Sequence, residues 1–127
     1  MQKIVITAFL FGLWCYITLA QGILKISPSQ LEFKNTFDRI TDVKFINVGN
    51  APVTLVNINY NKPELYFIRF DQYDSYPIVI APNDTVHMDC ILAGYYFVSK
   101  QDSVDTMFVY NNGISSVVPI KIKIDFF

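Results

Sequence analysis

An all-β fold, a sandwich of seven to eight strands, is what this 127-residue chain predicts. Apolar and polar residues alternate with period two in segment after segment, and no stretch shows a helical period. Turn residues punctuate these segments about every ten positions. Eleven Phe and eight Tyr supply the large side chains that fill a small two-sheet core.

The first twenty residues read as separate from that fold. Met1-Gln2-Lys3 is short and basic, and Ile4 to Ala20 is apolar without a charge. Thr18 and Ala20 fit the small-residue positions of a signal-peptidase site. The expectation is a signal peptide over 1–20, cleavage before Gln21, and one domain over 21–127. The apolar run is about 17 residues, at the short end for a bilayer span, so an uncleaved anchor is the alternative. Acylation at Cys15 is disfavoured by bulky Trp14 before it. The protein is therefore read as exported, to the periplasm or the extracellular space.

Cleavage leaves about 107 residues, enough for one domain and too few for two. It removes Cys15 and leaves Cys90 as a lone thiol, so the core stabilises the fold without an internal disulfide. Loss of Lys3 leaves nine basic against eleven acidic side chains. That balance, with no dense basic patch, argues against nucleic acid as a partner.

Along the chain, Leu24 and Ile26 alternate with Lys25 and Ser27, and Pro28 breaks the run before Leu31 and Phe33. This reads as a first strand split by a kink that carries it from one sheet to the other. Val43 and Phe45 begin a second strand that ends at Asn47 to Asn50. Gly49, Asn50 and Pro52 then predict a hairpin turn inside FINVGNAPVTL, Phe45 to Leu55. In the third strand Val53 and Leu55 fall on one face, and Val56, Ile58 and Tyr60 on the other. A bulge near Leu55–Val56, or burial of both faces, reconciles them. Leu65 to Phe70 is a short strand followed by a polar loop, Asp71 to Tyr76. Val86, Met88, Cys90 and Leu92 form an inward face opposite His87 and Asp89. Val104 to Tyr110 leads through Asn111-Asn112-Gly113, a strong turn signal, into the last strand. There Val118, Ile120, Ile122 and Ile124 face in while Lys121, Lys123 and Asp125 face out. Strands of this number and spacing predict an immunoglobulin-like topology, without the Cys–Trp–Cys core of antibody domains.

The order of these signals resembles the Hydin-type, major-sperm-protein-like immunoglobulin domains of bacterial exported proteins, the choice-of-anchor D type. The resemblance rests on Ser27-Pro28 with Leu31 and Phe33, then on Phe45, Asn47, Gly49, Asn50, Pro52, Val53 and Leu55, and on Ile80, Pro82, Asn83 and Asp84. It spans roughly Leu24 to Ile124. The usual V-x-F-x-P strand end departs here, reading Met88-Asp89-Cys90-Ile91-Leu92. The resemblance implies a non-catalytic module for adhesion, scaffolding or assembly.

Chemistry-bearing residues are few. His87, the sole histidine, lies two residues from Asp89 on one strand face, and such a pair can orient a general base. No Gly-flanked nucleophile on a strand–turn–helix element accompanies it, so a surface pair is the reading taken. Cys90 reads as a small core residue. Asp71, Asp74 and Asp84 match no calcium-loop spacing and read as turn carboxylates. Asn83-Asp84-Thr85, formally a glycosylation sequon, reads as a turn. Neither a metal nor a cofactor is called for.

Two aromatic loop segments, Tyr73 with Tyr76 and Tyr95-Tyr96-Phe97, either fold back to cap the core, the reading favoured, or offer a partner or sugar platform, for which Tyr95, Tyr96 and Phe97 are the leading candidates. Lys121 and Lys123 either guard an edge strand against pairing or mark an edge that pairs with a partner strand, and Pro119 supports an edge position. The expected function is a non-enzymatic exported domain that binds a protein partner in adhesion or envelope scaffolding. A small carbohydrate- or ligand-binding module built on the aromatic loops is the alternative. Membrane contact is expected only through an uncleaved N-terminal segment.

Overall fold

Alternation of side chains sends the apolar residues of each strand to one side, and two sheets bury those sides against each other. The computed structural model describes residues 21–34, 39–60, 65–92 and 104–125. They form β1 (Leu24–Ser27), β2 (Gln30–Phe33), β3 (Arg39–Asn47), β4 (Val53–Asn59), β5 (Tyr66–Phe70), β6 (Ile78–Ile80), β7 (Thr85–Leu92), β8 (Val104–Asn111) and β9 (Val117–Ile124). One sheet runs in the order β1-β3-β7-β5 and the other β2-β9-β8-β4-β6. The expected signal peptide, 1–20, and the Tyr95–Phe97 cluster lie outside the described residues.

The kink at Ser27-Pro28 does what the sequence predicts: β1 pairs antiparallel with β3, and β2 pairs with β9 in the other sheet. Among the described residues nine strands form instead of seven or eight, in part because this split yields two. Ile78–Ile80 adds a short strand against β4 that the sequence pattern does not predict. The expected bulge in β4 is present, with Leu55 opposite Asn111 and Asn57 opposite Tyr110. Val56 is the extra residue and turns outward, so Leu55 and Ile58 are both buried. Phe33, Phe45, Leu55, Met88, Met107 and Ile120 have no exposed surface. Each such side chain contributes about 1.5–3 kcal/mol by burial.

Two expectations are corrected. FINVGNAPVTL is not a hairpin, because β3 and β4 belong to different sheets and the turn crosses the sandwich. Nor is the last strand an edge: β9 lies between β2, parallel to it, and β8, antiparallel. Pro119 misled because its surroundings are locally edge-like. The Lys121 amide donates to Ser29 O at 3.0 Å, so alternate residues of β9 turn their backbone toward β2. Pro119, two residues earlier, turns its missing donor to the same side, ahead of the first β2 pair at Gln30–Lys121.

The crossing turn is held by Asn47, which is fully buried. Its Nδ2 donates to Ala51 O at 2.7 Å and Ile80 O at 3.0 Å, while Oδ1 accepts from Gly49 N at 3.0 Å and Ile23 N at 3.3 Å. One side chain thus ties the N-terminal segment, the turn and the end of β6. Asn111 repeats the pattern in the β8–β9 turn: Nδ2 donates to Ser115 O at 2.8 Å and Oδ1 accepts from Gly113 N at 2.7 Å. Gly49 is required for close approach. A Cβ there would strike Gln21 O and lie 2.7 Å from Ile23 N. Both Asn-x-Gly turns and Gln21–Ile23 therefore meet at one end of the sandwich, joined by Val48 N to Ile23 O at 2.9 Å and Ile114 N to Gly22 O at 3.0 Å.

Candidate functional site

β5 is one of the two outer strands of its sheet among the described residues, and two concave surfaces flank it. On the open side of the sandwich, between β5 and the Asn57–Asn59 half of β4, lies a cleft of about 580 Å³. The short β6 pairs only with Val53 to Leu55, which leaves that half of β4 uncovered by it. Tyr60, Tyr66, Phe70, Tyr73 and Tyr76 line the cleft, and Asn57, Asp74, Ser75 and Arg69 supply polar groups. The rings brace one another edge to face: Tyr60–Tyr66 at 5.7 Å, Phe70–Tyr76 at 5.8 Å and, toward the core, Phe45–Phe70 at 5.3 Å. Burial pushes the Tyr76 hydroxyl up to about 12, with Tyr60 adding to it. Burial also raises Tyr60, with Cys90 as the second cause. Both phenols remain neutral hydrogen-bonding groups at physiological pH.

On the outer face of the same sheet, Thr41, Asp42, Arg69, Asp71, His87 and Asp89 surround a hollow of about 350 Å³. A bulge creates it. Ile40 pairs with Cys90 and Val43 with Met88, so β3 carries one residue more than β7, and Asp42 takes a left-handed φ of 64°. That conformation aims the Asp42 carboxylate at His87 Nδ1, its hydrogen-bond partner. The sequence pairs His87 with Asp89 instead. Asp89 is held by Arg39 at 2.5 Å, accepts from the Asp42 amide at 3.4 Å and has Arg69 3.7 Å away. The Arg39 hydrogen bond, opposed by desolvation and helped by Asp42 N–H and Arg69, lowers the Asp89 pKa below its ordinary 3.8. The outcome is a mosaic of compensated charges around a half-exposed His–Asp pair. A pair of this kind can pass a proton and can equally recognise a polar partner surface. Among the described residues no three His, Cys, Asp or Glu side chains are grouped to hold a metal ion.

Arg69 borders both surfaces, so cleft and patch form one continuous site around β5. Tyr73 and Tyr76 fall in it, 38% and 36% exposed. The three loop carboxylates do not converge: Asp71 faces the patch and Asp74 the cleft, while Asp84 sits in the far turn, where its amide donates to Ala81 O at 3.0 Å. Asn83, with φ of 64°, occupies the third position of that turn, as its sequence suggests. Lys121 and Lys123 lie elsewhere, on the outer face of the five-stranded sheet. They flank a hollow of about 280 Å³ with Gln30, Val104 and Thr106. Cys90 is buried, and burial pushes its thiol up to about 12, which leaves it unreactive.

Sequence reading missed Arg39, Asp42, Tyr60, Phe67 and Arg69. Their roles depend on which strands are neighbours, and no local pattern carries that. Phe67, 56% exposed beside the cleft, is one of several large apolar side chains that stand exposed among the described residues.

No protein-family model matches the chain. No curated protein matches it either. Solved structures share its fold. A Porphyromonas gingivalis W83 protein described as of unknown function aligns with a TM-score of 0.64 and 16% identity, over 85% of this chain and 49% of its own. WR4, a C. elegans MSP family member, aligns at 0.59 and 8% identity, over 82% and 97%. Domains 4 and 5 of the S-layer protein SbsC align at 0.51 and 10% identity, over 83% and 52%. The chain thus spans about half the length of the Porphyromonas and SbsC structures. At these identities the likeness shows fold alone: an immunoglobulin-like β-sandwich shared with an MSP family member and an S-layer domain.

Proposed function

We propose that this chain is an exported, non-catalytic immunoglobulin-like module of the Hydin-type kind, which binds a protein partner in adhesion or envelope scaffolding. The observation that carries the reading is the continuous surface around β5, where an aromatic cleft meets a mosaic of paired charges through Arg69. Aromatic anchors beside arginine and a polar rim are the composition that protein interfaces favour. The S-layer neighbour and the signal-like start of the sequence support a location outside the inner membrane.

A second reading has a specific observation in its favour. Tyr73 and Tyr76 stand beside Asn57, Asp74 and Ser75, so ring surfaces and hydrogen-bonding groups converge as a glycan or small polar ligand requires. One set of variants separates the two. Phe67→Asp changes an exposed side chain on β5, and Tyr73→Ala removes a ring from the cleft. The chain, immobilised, is offered envelope and culture-medium fractions and, separately, a glycan array. A defined partner retained by wild type and lost with Phe67→Asp supports the protein-binding reading. Glycan retention lost with Tyr73→Ala moves the conclusion to the second. Equal recovery of every partner by wild type and both variants overturns the site. Intact mass of the exported protein checks the leader, and a full-length mass refutes cleavage before Gln21.

A further inference from the structure

Asn112-Gly113 is the sole Asn-Gly dipeptide in the chain. In an unfolded polypeptide this is the pair most prone to deamidation, because glycine leaves its own nitrogen unhindered. That nitrogen loses its proton to base and attacks Cγ of the asparagine side chain. A C–N bond forms, ammonia leaves, and a five-membered succinimide remains. Water then opens the ring at either carbonyl, giving aspartate or isoaspartate.

The fold requires this hazard. A Cβ at 113 would lie 2.8 Å from both Asn111 Oδ1 and Gly22 O, so only glycine fits where the turn packs against the N-terminal segment. The same contacts oppose the reaction. The Gly113 N–H, which must be lost before attack, is donated to Asn111 Oδ1 at 2.7 Å. Asn111 is 6% exposed and held by its Nδ2 bond to Ser115 O at 2.8 Å. On the other side, Asn112 Oδ1 accepts from Thr54 N at 2.7 Å, and Asn112 N donates to Thr54 O at 3.2 Å. Electrophile and nucleophile are each tied to a different strand end.

We propose that Asn112-Gly113 is a latent deamidation site that the folded turn holds shut, with the buried Asn111 side chain as its latch. Opening of the β8–β9 turn releases the latch and allows the chain to be modified at Asn112. The two products differ in consequence. Aspartate keeps an oxygen able to accept from Thr54 N. Isoaspartate lengthens the main chain by one methylene and breaks that pairing, so the modified turn does not reclose.

The test uses the whole exported chain in mildly alkaline buffer, folded and in urea, with peptide mass mapping of the segment around Asn112. The expected rate at Asn112 is at least about tenfold lower in the folded protein, a factor equal to 1.4 kcal/mol of local opening. Asn111→Ala, followed by circular dichroism to establish that it is folded, is expected to raise the folded-state rate toward that of the urea sample. Hydrogen exchange at the Gly113 amide reads the latch without a substitution, and slow exchange is expected there. Equal rates in folded and unfolded chains overturn the proposal. So does fast exchange at Gly113 in an otherwise protected sheet, or a folded Asn111→Ala chain that deamidates no faster than wild type.

Discussion

Asn47 uses both amide protons and its carbonyl oxygen to join segments that are distant in sequence, from Ile23 to Ile80. Its burial is tolerated because each polar atom has a partner; a truncation leaves those partners stranded. Asn47→Ala is expected to cost about 3 kcal/mol, measured as a fall in the urea midpoint at unchanged slope. Asn47→Asp tests the geometry separately. It keeps the acceptor toward Gly49 and Ile23 but loses both donors to Ala51 and Ile80, so it too is expected to destabilise strongly. A loss below about 1 kcal/mol for both would show that water replaces the side chain's bonds. The sequence marks Asn47 as a turn residue and stops there. Asn-x-Gly reads the same whether a turn joins paired strands or crosses between sheets, since that depends on partners far along the chain.

Strands were legible to the extent that their burial is one-sided. In β7 the alternation of Val86, Met88, Cys90 and Leu92 suffices, and all four are buried. The bulge at Val56 was legible for a related reason: a break in alternation has few physical remedies. Deleting Val56 tests it at this scale. Its neighbours already have consecutive partners, Leu55 opposite Asn111 and Asn57 opposite Tyr110, so the shortened β4 keeps Leu55 and Ile58 inward in regular alternation, and the chain is expected to keep its cooperative unfolding transition. Val56→Thr keeps the extra residue on an exposed position and is expected to stay within about 0.5 kcal/mol of wild type. If the deletion abolishes cooperative unfolding, Val56 is not the residue that β4 can spare. The short β6 and the place of β9 were not legible. Three residues contain too little alternation to declare a strand, and the β2–β9 pairing joins segments about ninety positions apart.

At the scale of the whole molecule, the candidate site was half legible. Tyr73 and Tyr76 announce an aromatic loop, but their cleft needs β5 and β4 on opposite sheets, and the charged patch needs β3 beside β7. The patch makes a pH prediction. Asp89 has a lowered folded pKa, so its contribution is complete above its unfolded value of 3.8 and is lost as pH falls through the folded value. Wild type is therefore expected to lose more stability than Arg39→Ala on acidification below 3.8, and the two are expected to converge there. Parallel urea titrations at neutral and acid pH check this, and a gap between the two proteins that is constant with pH contradicts it. The difference at neutral pH is expected to be small, about 0.5 kcal/mol, because Arg39 is half exposed.

The parallel pairing of β2 with β9 has a mechanical meaning. Gln21 lies at the end of the sandwich that holds the Asn-x-Gly turns, and Asp125, whose amide donates to Phe33 O at 2.7 Å, lies at the other. Tension applied between those two residues runs along the strands. It draws β2 and β9 past each other and strains the four register pairs from Gln30–Lys121 to Phe33–Ile124 together. Bonds loaded side by side in this way share the force, whereas a hairpin pulled open from its tip surrenders them one after another. A domain wired like this behaves as a stiff link in a chain under pull.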